Sequence, residues 1–200
     1  PSTSDTETII HLIATSNHGR LLDRFIDAIR RIEGAYSLVA LSEKKMLGCR
    51  DPLGVRPLVL GRLDDAYILA SETCALDIIG ASYVRDINAG EVVIITDEGI
   101  ESLYPFERQA SRFCIFEYVY FARPDSAVDG RGVYAVRKNI GAELARESGI
   151  AADIVVPVPD SGVPAAIGYA EASGLPFELG IIRNHYVGRT FIEPTDAIRH

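Results

Sequence analysis

At positions 155 to 162 a β-branched apolar run passes directly into Pro-Asp-Ser-Gly and then into an alanine-rich stretch, "VVPVPDSGVPAAIGYAEASG". Asp160, Ser161 and Gly162 are thereby expected at the carboxyl end of a strand and at the amino end of a helix, with Pro164 suited to the first helical position. Free backbone N–H groups and the positive helix end suit a phosphate or pyrophosphate, Gly162 allows close approach, and Ser161 offers a hydroxyl. The plainer alternative is that Asp160 or Ser161 simply caps the helix. Downstream, "RNHYVGRTFIEP" places Arg183 and Arg189 around Tyr186 and Gly188. Two arginine forks on one loop match phosphate geometry, and a glycine-containing loop can close over a ligand; a solvated loop has the same composition.

The remaining polar residues are explained more simply. Asp5 stands at the start of a helical stretch, where an acid favours the macrodipole. "CRDPLGVRPLVLG" reads as a turn between strands, with Arg50, Asp51 and Arg56 available for a local ion pair in structural support. Cys114 reads first as a buried thiol at the head of an aromatic stretch, "CIFEYVYFARPDS", taken as a core or domain-interface strand. His11, His18 and His185 have no Ser or Cys nucleophile at a recognisable spacing, and none is assigned to catalysis.

These loops need elements to hold them. "STSDTETIIHLIATS" begins a helix with Ser4 and Glu7 as a capping box, and "LLDRFIDAIRRIEG" repeats Leu22, Phe25, Ile26, Ile29 and Ile32 on a helical stripe that Gly34 ends. From Ala35 to about Tyr104 short β-rich runs follow one another, broken by a short helix at 72–80, and "TDEGI" places Gly99 in a hairpin loop. Beyond a polar stretch at 105–112, a helix with Val136, Ile140 and Leu144 on one side, a strand at 152–158, a second helix and a strand near 177–182 alternate, as in a parallel α/β sheet. The expected fold is thus α+β followed by α/β, divided near position 110.

The 200 residues carry 48% hydrophobic residues and a net charge of −8, enough for a core and unsuited to a nucleic-acid surface. Apolar runs are strand-length, so no membrane partner is expected. Three separated cysteines, Cys49, Cys74 and Cys114, fit a reducing compartment, and the cytoplasm is the expected location. With Met46 the only methionine and Pro1 opening in mid-pattern, the sequence reads as an internal piece of a longer chain.

Taken in order, "TSDTE", "GAYSLV", "RDPLGVRPLVLG", "ASETCALD", "INAGEVVIIT", "FEYVYFARPDS" and "NHYVGRTFI" resemble the amidophosphoribosyltransferase family across essentially the whole chain. The resemblance implies the C-terminal part of an N-terminal-nucleophile (αββα) glutaminase at 1–110, joined to the first part of a type I phosphoribosyltransferase domain at 111–200. It implies synthesis of 5-phosphoribosylamine from glutamine and phosphoribosyl pyrophosphate, the first committed step of purine synthesis. It further implies that Asp5 holds the α-amino group of glutamine, and that Asp160, Ser161 and Gly162 approach the diphosphate and its Mg²⁺. Tyr186, Arg189, Thr190 and Phe191 match the flexible loop and ammonia channel, and Cys114 matches a position that ligates a [4Fe-4S] cluster in one branch and is also cysteine in members without it. Purine nucleotides as inhibitors and a homotetramer are expected on the same ground. The amino-terminal cysteine nucleophile, the arginine and Asn-Gly pair of the glutamine site and the acidic pair for the ribose hydroxyls are absent from these residues, so the 200-residue piece is expected to be inactive by itself. A phosphoribosyl-pyrophosphate-sensing regulator and a sugar-phosphate amidotransferase are the alternatives.

Overall fold

The computed structural model describes residues 4–186. The chain divides into two compact units, one formed by residues 1–117 with 127–129, the other by 118–126 with 130–200.

In the first unit, α1 (Asp5–Thr15) and α2 (Leu21–Ile29) precede β1 (Ser37–Leu41), β2 (Met46–Arg50), β3 (Val59–Leu63) and β4 (Ala66–Ala70). Then come α3 (Thr73–Ile78), β5 (Ser82–Asp86), β6 (Val92–Thr96) and β7 (Gly99–Leu103). The strands form two antiparallel sheets, ordered β1-β2-β6-β7 and β4-β3-β5. Period-two alternation assigns each strand's side chains to two different cores. On β2 and β6, Leu47, Cys49, Val92 and Ile94 face Phe25 and Ile29 of α2, whereas Val93 and Ile95 face Leu58, Leu60 and Ile87 from around the other sheet. On β3, Leu60 joins that shared core while Val59 turns to Leu76 of α3. The unit is therefore layered as helices, sheet, sheet, helix.

Two glycines set the spacing of these layers. A Cβ at Gly48 would lie 2.6 Å from Leu69 Cδ1, between the sheets, and one at Gly61 would lie 2.5 Å from Leu76 Cδ2 and 3.1 Å from its Cγ. Gly61→Ala should therefore push α3 off its sheet and destabilise the unit by about 1–3 kcal/mol, the usual range for overpacking. Thermal melts of the variant check this, and an unchanged midpoint would show that Leu76 has room to yield.

The hairpin at "TDEGI" forms as expected: Thr96 pairs with Gly99, whose φ is +130°. Helix α2 ends a turn before the sequence pattern does. Arg31 N–H bonds to Ala28 O and Ile32 N–H to Ile29 O, tightening the last turn, and Ile32 packs on the core from outside the helix. The strand β5, "SYVRD", forms despite a polar sequence that lacks the apolar character of the other runs.

In the second unit, α4 (Val133–Ser148) and α5 (Val163–Ser173) are the long elements. Each ends on a left-handed glycine, Gly149 and Gly174. The strands expected at 152–158 and 177–182 meet in one parallel bridge, Val155 with Phe177, in which Val155 N–H reaches Pro176 O at 2.8 Å and Glu178 N–H reaches Val155 O at 3.0 Å. The aromatic stretch expected as a strand is instead one turn of π-helix, Glu117–Phe121. Its carbonyls explain the difference: buried Arg137 of α4 donates to Tyr118 O at 2.5 Å and to Ala122 O at 2.7 Å, supplying partners that a sheet would otherwise have to provide.

Candidate functional site

The bridge through Val155 and the start of α5 bracket the loop at 156–162. Gly162 holds the N-cap of α5, Val163 is the first helical residue, and Pro164 sits second, not first as its chemistry suggested. Gly162 N–H bonds to Val158 O at 3.1 Å, and a Cβ there would lie 2.7 Å from that same oxygen, so the turn needs glycine at this position. Because the cap is glycine, neither Asp160 nor Ser161 occupies the capping position. Val163 N–H turns back to Asp160 O at 3.3 Å, while the Asp160 carboxylate is 62% exposed and accepts from Arg183 Nη1 at 2.9 Å. Thus Asp160 and Ser161 stand ahead of a helix amino terminus, an arrangement suited to an anion carried with a cation.

Of the downstream loop, Tyr186 is fully exposed, and its N–H bonds to Asn184 Oδ1 at 3.0 Å. Arg189, Thr190 and Phe191 lie outside the described residues. The link between Arg183 and Asp160 was not foreseen; Arg183 was read only with Arg189 on their own loop.

Asp5 is the first residue of α1, exposed, and accepts from Thr6 Oγ1 at 3.5 Å. It belongs to the first unit and the 160–162 loop to the second. Cys114 is half-buried, its N–H on Val55 O at 3.3 Å and its carbonyl accepting Glu117 N–H at 3.0 Å. Among the described residues no group of three or more His, Cys, Asp or Glu side chains gathers to hold a metal. A cluster on Cys114 would need ligands from elsewhere. An Asp160 carboxylate that holds Mg²⁺ needs little more than substrate phosphates and water, so the loop suits that ion better than Cys114 suits a cluster.

The expected ion pair within Arg50, Asp51 and Arg56 does not form. Asp51 is fully buried, and its carboxylate accepts from Leu53 N–H at 2.9 Å and Val55 N–H at 3.0 Å. Arg50 donates to the carbonyls of Arg56, Gly54 and Ile87 at 2.7, 2.8 and 2.9 Å. Arg56 turns instead to buried Glu117 at 2.7 Å, where burial pushes the Glu117 carboxyl up despite the guanidinium beside it. The loop is a backbone scaffold, which its structural reading anticipated. Cys49, whose thiol burial pushes up to about 12, is likewise a core residue. No helix among the described residues is long and apolar enough to cross a membrane.

Residues 1–77 match a glutamine amidotransferase domain family. An amidophosphoribosyltransferase from Rhizobium etli is 61% identical over 99% of this chain and 41% of its own length. The Bacillus subtilis enzyme of that name is 50% identical over 99% of this chain and 42% of its own, and a chloroplastic one from Glycine max is 54% identical over 99% and 35%. Among solved structures, a B. subtilis glutamine phosphoribosylpyrophosphate amidotransferase complexed with ADP and GMP superposes with a TM-score of 0.90 at 49% identity, covering 98% of this chain and 43% of that one. A structure of the allosteric regulatory enzyme of purine biosynthesis gives 0.91 at 49% identity, covering 100% and 43%. The chain thus spans about two fifths of the length of the relatives it matches, and along that whole span it is similar to amidophosphoribosyltransferases.

Proposed function

We propose that the whole protein carrying this chain makes 5-phosphoribosylamine, glutamate and pyrophosphate from phosphoribosyl pyrophosphate, glutamine and water, opening purine synthesis. In this reading residues 1–110 belong to an N-terminal-nucleophile glutaminase and 111–200 to a type I phosphoribosyltransferase domain. The layered helix-sheet-sheet-helix order of the first unit supports the former. The parallel bridge leading into the 160–162 loop and α5 supports the latter.

The glutaminase half hydrolyses the glutamine amide, with Asp5 holding the substrate's α-ammonium. The ammonia released attacks C1 of the ribose, and the C1–O bond breaks as pyrophosphate departs with its electron pair. Asp160, Ser161 and Gly162 receive that pyrophosphate, and Asp160 would hold Mg²⁺. The observation that carries this reading is the glycine N-cap, which leaves Asp160 and Ser161 in front of the helix terminus with no capping role. Mg²⁺, when bound with the donor, neutralises the charge developing on the leaving group. Tyr186, Arg189, Thr190 and Phe191 form the loop that closes over the donor and bounds the ammonia path. Cys114 serves a [4Fe-4S] cluster only if further ligands lie outside the described residues. A homotetramer inhibited by purine nucleotides, working in the cytoplasm, completes the proposal; a B. subtilis relative bound to ADP and GMP supports the nucleotide part. The amidotransferase match over residues 1–77 disfavours a pure sensor of phosphoribosyl pyrophosphate.

In the full-length protein, Arg189→Ala should lower nitrogen transfer at least about 100-fold while glutamine hydrolysis measured alone stays within about twofold, as expected for a group acting on the donor's developing charge. Equal loss in both assays contradicts the loop assignment.

A further inference from the structure

We propose that α4 positions the donor loop through direct backbone contact with α5, with Gly141 and Gly168 as the positioning residues; this rests on the reading of 160–162 as the pyrophosphate loop. A Cβ on Gly141 would overlap the Ala165 carbonyl oxygen and lie 2.6 Å from its carbon and 2.9 Å from its Cα. A Cβ on Gly168 would overlap the Lys138 carbonyl oxygen and lie 2.7 Å from its carbon. The contact is therefore reciprocal, one glycine from each helix against the other helix's main chain. Backbone atoms cannot rotate away as a side-chain terminus can, so the separation of the helices is fixed by these two positions.

The place of the contact gives it consequences. Ala165 lies in the first turn of α5, three residues beyond the Gly162 cap. Whatever moves that turn moves the loop in front of it. Two side-chain links, Lys138 with Glu171 at 2.7 Å and Ser148 Oγ with Tyr169 OH at 2.8 Å, hold the same pair of helices further along. Those links stabilise the pair, while the glycines set the distance.

An added methyl at Gly141 displaces the loop on the ångström scale, for which losses of about 100-fold are documented in other enzymes. In the full-length protein, Gly141→Ala should raise the KM for phosphoribosyl pyrophosphate about tenfold or more, with glutamine hydrolysis alone within about twofold. Tyr169→Phe, which removes only the distant hydrogen bond, should lower the melting temperature and leave that KM unchanged. An unchanged KM in folded Gly141→Ala, or proportional loss of both activities, overturns the proposal.

Hydrogen exchange of the unaltered protein with and without Mg²⁺ and inorganic pyrophosphate decides the matter independently of how the variants fold. Slowed exchange at 158–168 together with the middle of α4 around Gly141 is expected. Slowing at 158–168 alone overturns the role of α4 and leaves the loop reading standing; no slowing at 158–168 overturns the loop reading itself.

Discussion

Replacing Glu91 by glutamine lowers the stability of the first unit by about 1–3 kcal/mol, the range for leaving interior hydrogen-bonding groups short of a partner. Glu91 is fully buried just ahead of β6. Its two oxygens meet Arg85 Nη2 at 2.7 Å and Nη1 at 2.9 Å, Ser102 Oγ at 2.6 Å and Asn88 N–H at 2.8 Å. Arg85 comes from β5 and Ser102 from β7, so this one carboxylate joins the edge strand of each sheet. Glutamine has one acceptor and presents an NH₂ group to a guanidinium, so it leaves Arg85 partly unpaired. Burial alone would push the Glu91 carboxyl up, but the bonds from Arg85, Ser102 and the Asn88 N–H outweigh it and hold it below the ordinary range. A lowered folded-state value means the stabilisation is complete above the unfolded carboxylate range near pH 4 and fades as pH falls through the folded value. Chemical denaturation at neutral pH should show the full loss in Glu91→Gln. The difference from the unaltered protein should narrow in acid, and equal stabilities at neutral pH contradict the network's role.

Asp160→Ala raises the KM for phosphoribosyl pyrophosphate about 30- to 100-fold in the full-length protein, equivalent to the roughly 2–3 kcal/mol expected for losing a charged partner of a metal-bound anion. The change removes the carboxylate proposed to hold Mg²⁺ and frees Arg183, which donates to it. Glutamine hydrolysis measured alone should not change, since Asp5 and the layers around it belong to the other unit. Initial rates against donor concentration at fixed Mg²⁺ check this. A fall in turnover with an unchanged KM would move Asp160 from binding to a different step.

What was legible in the sequence was local. The stripe of Phe25 and Ile29, the alternation through "EVVIIT" and the Gly99 hairpin each state their geometry within a few residues. At 155–164 the start of the helix was legible for the same reason, whereas the strand expected ahead of it is reduced to the single bridge at Val155. Features set by distant partners were not. The π-turn at Glu117–Phe121 depends on a guanidinium from Arg137, so its aromatic composition read as a strand. The buried face of α4 runs through Val133, Arg137 and Gly141, while Ile140 and Leu144, named from periodicity, are exposed. Hydropathy gives glycine no weight, yet close approach selects for it. Strand β5 was missed because "SYVRD" is polar and bears a charge that reaches across to Glu91. The chemistry of Asp51 was misjudged because composition shows neighbouring charges but not the backbone N–H groups that donate to one of them.

If one protein couples the two half-reactions proposed above, the stoichiometry of its products shows it most directly. Full-length protein given glutamine, phosphoribosyl pyrophosphate and Mg²⁺ should release glutamate and pyrophosphate in equal amounts, with glutamate formation accelerated by the donor. Glutamate without pyrophosphate, or donor binding without release of either product, would contradict it.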